Sequence, residues 1–147
     1  MRQFDAPTIL TMGEPSGIGG EITLKAWLAG HDKLSPFCII DSPARLRNIS
    51  DALNLNINIT EIGNIEETEK VFKNSLPVLP ITLPNHAIPG QLDTINNPAV
   101  LSSIDQAVHL VQTGQAKAIV TNPIHKKILY QTGFTHPGHT EYLAALA

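Results

Sequence analysis

A single cysteine in 147 residues leaves no partner for an intrachain disulfide and no basis for a thiolate metal cage. That residue, Cys38, sits in the apolar run Phe37-Cys38-Ile39-Ile40 and is expected on a buried strand. Charge is also scarce: 16% of residues are charged, the formal net charge is -3, and no basic run exceeds Lys126-Lys127. Such a surface cannot neutralise nucleic-acid phosphates, so nucleic acid is not an expected partner. No stretch of about 18 apolar residues is present to span a bilayer, and the opening MRQFDAPTILTM lacks the apolar segment of a signal peptide. A cytoplasmic protein without membrane contact is expected. Repeats and low-complexity tracts are missing too.

What is present is 42% hydrophobic sequence, enough at this length for one globular domain with a core. Strand-like and helix-like segments alternate. Thr8 to Met12 reads as a strand that runs through a glycine-rich turn into a helix over Glu21 to Ala29. Phe37 to Ile40 reads as a second strand. Ser42 then offers a helix cap and Pro43 suits a first helical turn, predicting a helix to about Leu53. Leu55 to Ile59 alternates as a strand does, and Glu66 to Phe72 is a helical turn or a solvated connection. Val78 to Leu83 is expected at a sheet edge, because Pro77, Pro80 and Pro84 remove ladder donors.

Asn97-Pro98 opens an amphipathic helix with Val100, Ile104, Ala107, Val108 and Val111 on one face, closed by Gly114. Ala118 to Thr121 is a short strand. A helix is expected from Pro123 to about Tyr130, stopped by Gly133, and a last one from near Thr140. This alternation predicts an α/β layered sheet with parallel segments. Ala147 comes too early in the last helix for it to bury a stripe, so residues 1–147 are expected to be the N-terminal portion of something longer.

Two segments carry chemistry. In Gly13-Glu14-Pro15-Ser16-Gly17-Ile18-Gly19-Gly20, glycines allow tight turning and close approach, and the following helix presents free N–H groups. It is not a P-loop, since no Gly-Lys-Ser/Thr closes it, and its glycine spacing is not that of the dinucleotide fingerprint. The alternative is a tight strand-to-helix turn without a ligand. Glu14 reads either as a helix-start anion or as a group that orients a ligand.

The second segment runs from Asn122 to Leu146. The strand end at Thr121 delivers Asn122, His125, Lys126 and Lys127 to the carboxyl edge of the sheet, where open α/β folds hold ligands. Lysine gives mobile positive charge and histidine a titratable donor. The bland reading is a solvated first helical turn. In Thr135-His136-Pro137-Gly138-His139-Thr140-Glu141, two histidines and a glutamate are open to metal ligation. The other readings are substrate binding by His139 and Thr140, with His136 as flank, and a merely structural turn. His31, His86 and His109 read as structural or solvated.

These residues resemble the 4-hydroxythreonine-4-phosphate dehydrogenase family of vitamin B6 biosynthesis. TMGEPSGIGGEI is similar to that family's T-x-G-D/E-P-A-G-I-G-P-E, AIVTNPIHKK to V-T-G/A-P-I/V-H-K, and HPGHTEYLA to P-G-H-T-E-F/Y-L-A. PGQLDTINNPAVLSSIDQAVHLV is similar to the family's turn-to-helix segment between them. The resemblance runs along the whole chain but matches only the amino-terminal half of the family's length. It implies an isocitrate/isopropylmalate dehydrogenase-like fold, in which residues 1–147 are the first part of a two-domain homodimeric enzyme. It also implies oxidation of 4-phosphooxy-L-threonine with NAD or NADP, followed by loss of CO2 to give 3-amino-2-oxopropyl phosphate.

Carried over residue by residue, His139 and Thr140 correspond to the substrate-binding pair, with His125, Lys126, Glu14 and Asn122 as cleft candidates. No cofactor-binding residue is assigned. The family's divalent metal (zinc, magnesium or cobalt) is held by later histidines, so none of its ligands is expected in this chain. Ser16 and Gly20 replace the usual alanine and proline. Asn122 replaces glycine or alanine, which leaves room for another phosphorylated four-carbon hydroxy acid. An inactive anion-binding fragment is the remaining alternative.

Overall fold

A computed structural model describes residues 5–147. Five short strands, β1 (Thr8–Leu10), β2 (Phe37–Asp41), β3 (Ile59–Glu61), β4 (Leu76–Pro80) and β5 (Ala118–Val120), form one sheet in the order β3-β4-β2-β1-β5. Every neighbouring pair is parallel. Parallel neighbours need long crossovers, and helices supply them. The crossover helices are α1 (Gly19–Gly30), α2 (Pro43–Ala52), α3 (Thr68–Phe72) and α4 (Asn97–Gln112), while α5 (Lys126–Tyr130) and α6 (His139–Leu146) follow the last strand. The chain thus has the α/β sheet its alternating pattern called for.

Side-chain alternation along β2 builds two cores at once. Phe37 and Ile39 join Leu10, Leu24, Trp27, Leu46 and Val78 on the α1 and α2 face. Cys38 and Ile40 join Ile9, Ile62, Ile65, Ala107 and Ala116 on the opposite face. Because both faces are covered, the whole strand is buried, which explains its unbroken apolar run. A third cluster of Met12, Ala99, Val100, Ile128, Leu129 and Phe134 lies beyond the sheet's carboxyl edge. It fastens α5 to the first half of α4, and α5 carries part of the candidate site.

Cys38 is fully buried, and desolvation pushes its thiol up to about 12, with the neighbouring Thr68 hydroxyl acting weakly the other way. The thiolate is the reactive form. In the folded protein Cys38 is therefore expected to resist an aqueous thiol reagent, reacting only when denaturant opens the sheet. Rapid labelling of native protein would contradict the burial.

The local signals for α2 and α4 are realised. Ser42 accepts a hydrogen bond from the Arg45 N–H at 3.2 Å, and Pro43 occupies the first turn of α2. Val100, Ile104, Ala107 and Val108 of α4 are buried, and Gly114 closes that helix at φ 75°. Between β3 and β4 the helical alternative holds, with a 3-10 turn at Ile65–Glu67 leading into α3.

Three expectations need correction. The strand expected over 78–83 is β4, which starts at Leu76 and lies inside the sheet. Leu76 donates to Asn58 and Val78 accepts from Ile62 on the β3 side, while Ile81 donates to Asp41 on the β2 side. Pro77 therefore turns its nitrogen toward β2 before that pairing begins at Val78, and Pro80 turns its toward β3 after pairing ends at Glu61. Neither proline removes a ladder bond. The strand expected over 55–59 begins only at Ile59, because Asn54 and Asn56 take left-handed backbone angles (φ 53° and 52°). The helix expected from Pro123 begins at Lys126, since the Pro123 carbonyl instead accepts the Glu14 N–H at 2.8 Å.

Candidate active site

β1 has β2 on one side and β5 on the other, and its crossover through α1 leads only to β2. The carboxyl ends of β1 and β5 therefore flank a topological switch point, where ligands of open α/β sheets bind. Both unusual segments emerge here, Gly13–Ile18 after β1 and Asn122–His125 after β5.

The two loops are tied together by buried polar bonds. Asn122 is buried, and its Nδ2 donates to the Thr11 carbonyl at 2.9 Å and to Thr23 Oγ1 at 3.0 Å. Both amide hydrogens are engaged within the protein. Gly13 has φ 71°, and a Cβ on it would stand 2.7 Å from the Pro123 carbonyl oxygen. A Cβ on Gly19 would stand 2.9 Å from the Asn122 Cβ. These two glycines thus permit loop-to-loop packing and offer no cradle to a dinucleotide phosphate.

Glu14 is buried, and its Oε1 accepts the Ser16 N–H at 3.1 Å. It does not serve as the helix-start anion: α1 begins at Gly19 after Ile18, without a side-chain cap. Ser16 Oγ donates to the Gln91 carbonyl at 2.7 Å, and Gly90 donates back to the Ser16 carbonyl at 2.8 Å. The serine thus fastens the loop to the Pro89-Gly90-Gln91 turn.

The free groups lie further along. His125 caps α5, with Nδ1 accepting the Ile128 N–H at 3.2 Å, which leaves Nε2 as its outward nitrogen. Lys126 reaches across to Gly138. A Cβ on Gly138 would lie 3.3 Å from Lys126 Cε and 3.5 Å from both Lys126 Nζ and Glu141 Oε2. Glycine here makes room for the lysine. Among the described residues no carboxylate pairs with Lys126.

His139 opens α6 half-buried, and its enclosed Nε2 has no hydrogen-bond partner. Burial first, and then the Lys126 charge, hold its pKa below the ordinary 6.5. Thr140 follows, exposed. The structure therefore brings Lys126 and His139 together beside Thr140, while Glu14 and Asn122 are engaged within the loops that follow β1 and β5. His136 packs between Phe134 and Tyr142, with ring centroids 5.4 and 5.2 Å away. Among the described residues no group of three His, Cys, Asp or Glu side chains is placed together.

The sign of the His139 shift fixes a pH dependence. Proton uptake favours the unfolded chain, so the stability contributed by this group is present above pH 6.5 and declines as the pH falls below it. An NMR titration should give His139 a midpoint below 6.5, and Lys126→Met should move it upward. A downward shift in that variant would contradict the arrangement.

A cavity of about 780 Å³ opens on the other side of the glycine loop, between Pro15, Gly17, the length of α2 and residues 80–89. None of the six predicted site residues lines it. One lining residue, Arg45, went unnoticed in the sequence. Its Nη1 meets Asp41 Oδ2 at 2.6 Å and its Nε donates to the Pro15 carbonyl at 2.8 Å. The four-residue spacing of Asp41 and Arg45 across a strand end and helix start was the available signal.

The sequence model of the family described as "Pyridoxal phosphate biosynthetic protein PdxA" matches residues 32–147. The chain belongs to this family. A 4-hydroxythreonine-4-phosphate dehydrogenase of Methylorubrum populi is 47% identical over all of this chain, which spans 43% of that relative. One from Xanthobacter autotrophicus is 41% identical over 97% of the chain, again covering 41% of the relative. Among solved structures, the 4-hydroxythreonine-4-phosphate dehydrogenase of Burkholderia phymatum superposes with TM-score 0.85 at 30% identity, over 97% of this chain and 44% of that one. The Klebsiella pneumoniae structure of that name gives 0.83 at 29% identity. The chain thus spans less than half the length of the PdxA relatives it matches.

Proposed function

We propose that residues 1–147 are the amino-terminal part of a cytoplasmic, homodimeric dehydrogenase that oxidises 4-phosphooxy-L-threonine with NAD or NADP in vitamin B6 biosynthesis. Oxidation of the secondary alcohol transfers a hydride to the nicotinamide and gives a β-keto acid. That acid loses CO2 to leave 3-amino-2-oxopropyl phosphate. Family membership and the names of the relatives support the reading.

The observation that carries it is the pairing of Lys126 and His139 beside the first turn of α6. An unpaired ammonium attracts an anionic substrate, and an imidazole kept neutral supplies one donor and one acceptor without competing charge. His139 and Thr140 hold the substrate in this reading, and Lys126 and His125 complete a polar wall. The divalent metal falls, in this reading, to histidines that come later in the family's pattern. Because the Asn122 amide is engaged with Thr11 and Thr23, this departure from the family pattern gives no support to a different four-carbon acid.

The test is formation of reduced nicotinamide from 4-phosphooxy-L-threonine by the full-length enzyme with a divalent metal. Turnover is expected there and not with the 147-residue chain alone. Turnover by the short chain would overturn the placing of the metal ligands. A full-length enzyme silent on this substrate and active on another phosphorylated hydroxy acid would overturn the substrate.

A further inference from the structure

The glycine loop is supported unequally on its two sides. Toward β5 it is packed against Asn122 and Pro123, whereas toward α2 it borders the cavity of about 780 Å³, with Pro15 and Gly17 in the cavity wall. On that open side Ser16 is tied to the Gly90-Gln91 turn, and the contact that reaches the loop's backbone from α2 is Arg45, at Pro15. Its side chain is 4% exposed and that of Asp41 is 0% exposed.

Asp41 ends β2 and is anchored on both oxygens, one taking the Ser42 N–H at 2.7 Å and the other Arg45 Nη1. From that anchor Arg45 extends Nε to the Pro15 carbonyl. Its Nη1 and Nη2 lie 3.1 and 3.2 Å from where a Cβ on Gly20 would be, so glycine at the start of α1 leaves space for the guanidinium. Nη2 has no acceptor.

A buried ion pair with an unsatisfied N–H is a poor device for stability, since an apolar pair of the same volume does as well or better. Its particular capacity is geometric. A planar guanidinium held by one carboxylate presents a second donor at a fixed distance and angle. Here that donor sets the position of Pro15, the residue after Glu14.

We propose that Arg45 is a positioning residue: anchored by Asp41, it fixes the Pro15 carbonyl and thereby the placement of the Glu14–Ile18 loop at the β1/β5 crevice. This rests on the dehydrogenase reading only for what the loop serves. Its effect on the loop is measurable without turnover.

The comparison is amide hydrogen exchange of the protein carrying Arg45→Met, Arg45→Lys or, as a surface control, Arg47→Met, which removes an exposed pairing with Glu61 at 3.8 Å. Exchange at Ser16 and Gly17 is expected to quicken about tenfold or more in Arg45→Met and less in Arg45→Lys. Arg47→Met should leave it unchanged, and in the Arg45 variants the amides of β2 and β4 should quicken less than those of the loop, the rise there being the effect of an unpaired buried Asp41 on the whole fold. Unaltered exchange at Ser16 and Gly17, or a uniform rise across the sheet, would overturn the proposal, the second because Arg45 would then be a plain stabiliser. Should Arg45→Met fail to fold, Arg45→Lys carries the same comparison.

In the full-length enzyme, Arg45→Met should lower kcat about tenfold or more with little change in KM, because the substrate-holding groups are intact and only the loop is misplaced. Arg45→Lys should recover part of the loss. A wild-type enzyme without turnover would count against the dehydrogenase reading, while the exchange comparison would still decide the role of Arg45.

Discussion

Gly13→Ala is expected to destabilise the fold by about 2–4 kcal/mol, combining a left-handed backbone penalty with overpacking. At φ 71° the new Cβ would meet the Pro123 carbonyl oxygen at 2.7 Å and the Asn122 Cβ at 2.9 Å. Neither obstacle is the loose end of a side chain. Pro123 is held by the Glu14 N–H, and Asn122 by Thr11 and Thr23. Gly90, Gly114 and Gly133 also have positive φ but face open space, so alanine there should cost about 1 kcal/mol, the backbone term alone. Denaturant midpoints of the four variants check this. Equal losses at Gly13 and Gly90 would mean that the loop junction yields easily and does not fix the site.

The second large effect concerns activity. Lys126→Met and His139→Asn are each expected to lower kcat/KM of the full-length enzyme by about 10–100-fold, the scale of one hydrogen bond or charge contact to an ionic ligand. If both side chains serve one substrate, the double variant should lose less than the product of the single losses. Steady-state kinetics of the three variants decide it. Multiplicative losses would place the two residues on separate tasks, and unchanged kinetics in His139→Asn would remove it from the site.

How much the sequence revealed depended on the range of the interaction. Ser42 and Pro43 set the start of α2, and Gly114 the end of α4, through bonds within one turn, so composition sufficed. Cys38 was legible because a strand covered on both faces shows no polar alternation. The position of β4 was not, because proline is excluded only where its nitrogen faces an occupied rung, and which rungs are occupied depends on strand order. Asn56 broke an apparent strand because asparagine tolerates left-handed angles, which alternation does not register.

Within the site, His139, Thr140 and Lys126 were legible as residue types, and the structure added that Lys126 lies over Gly138. Asn122 looked available in sequence and is engaged by Thr11 and Thr23, partners far away along the chain. Arg45 was missed for the same reason: its role is a contact with Pro15, thirty residues earlier.

The most direct test of the central claim is to follow the histidine side-chain NMR signals of the protein while 4-phosphooxy-L-threonine is added. The Lys126–His139 arrangement predicts that His139 shifts in a saturable manner, that Lys126→Met weakens this at least about tenfold, and that His86, in the wall of the separate cavity, stays still. A response at His86 with His139 silent would place the ligand on the wrong side of the glycine loop and contradict the account.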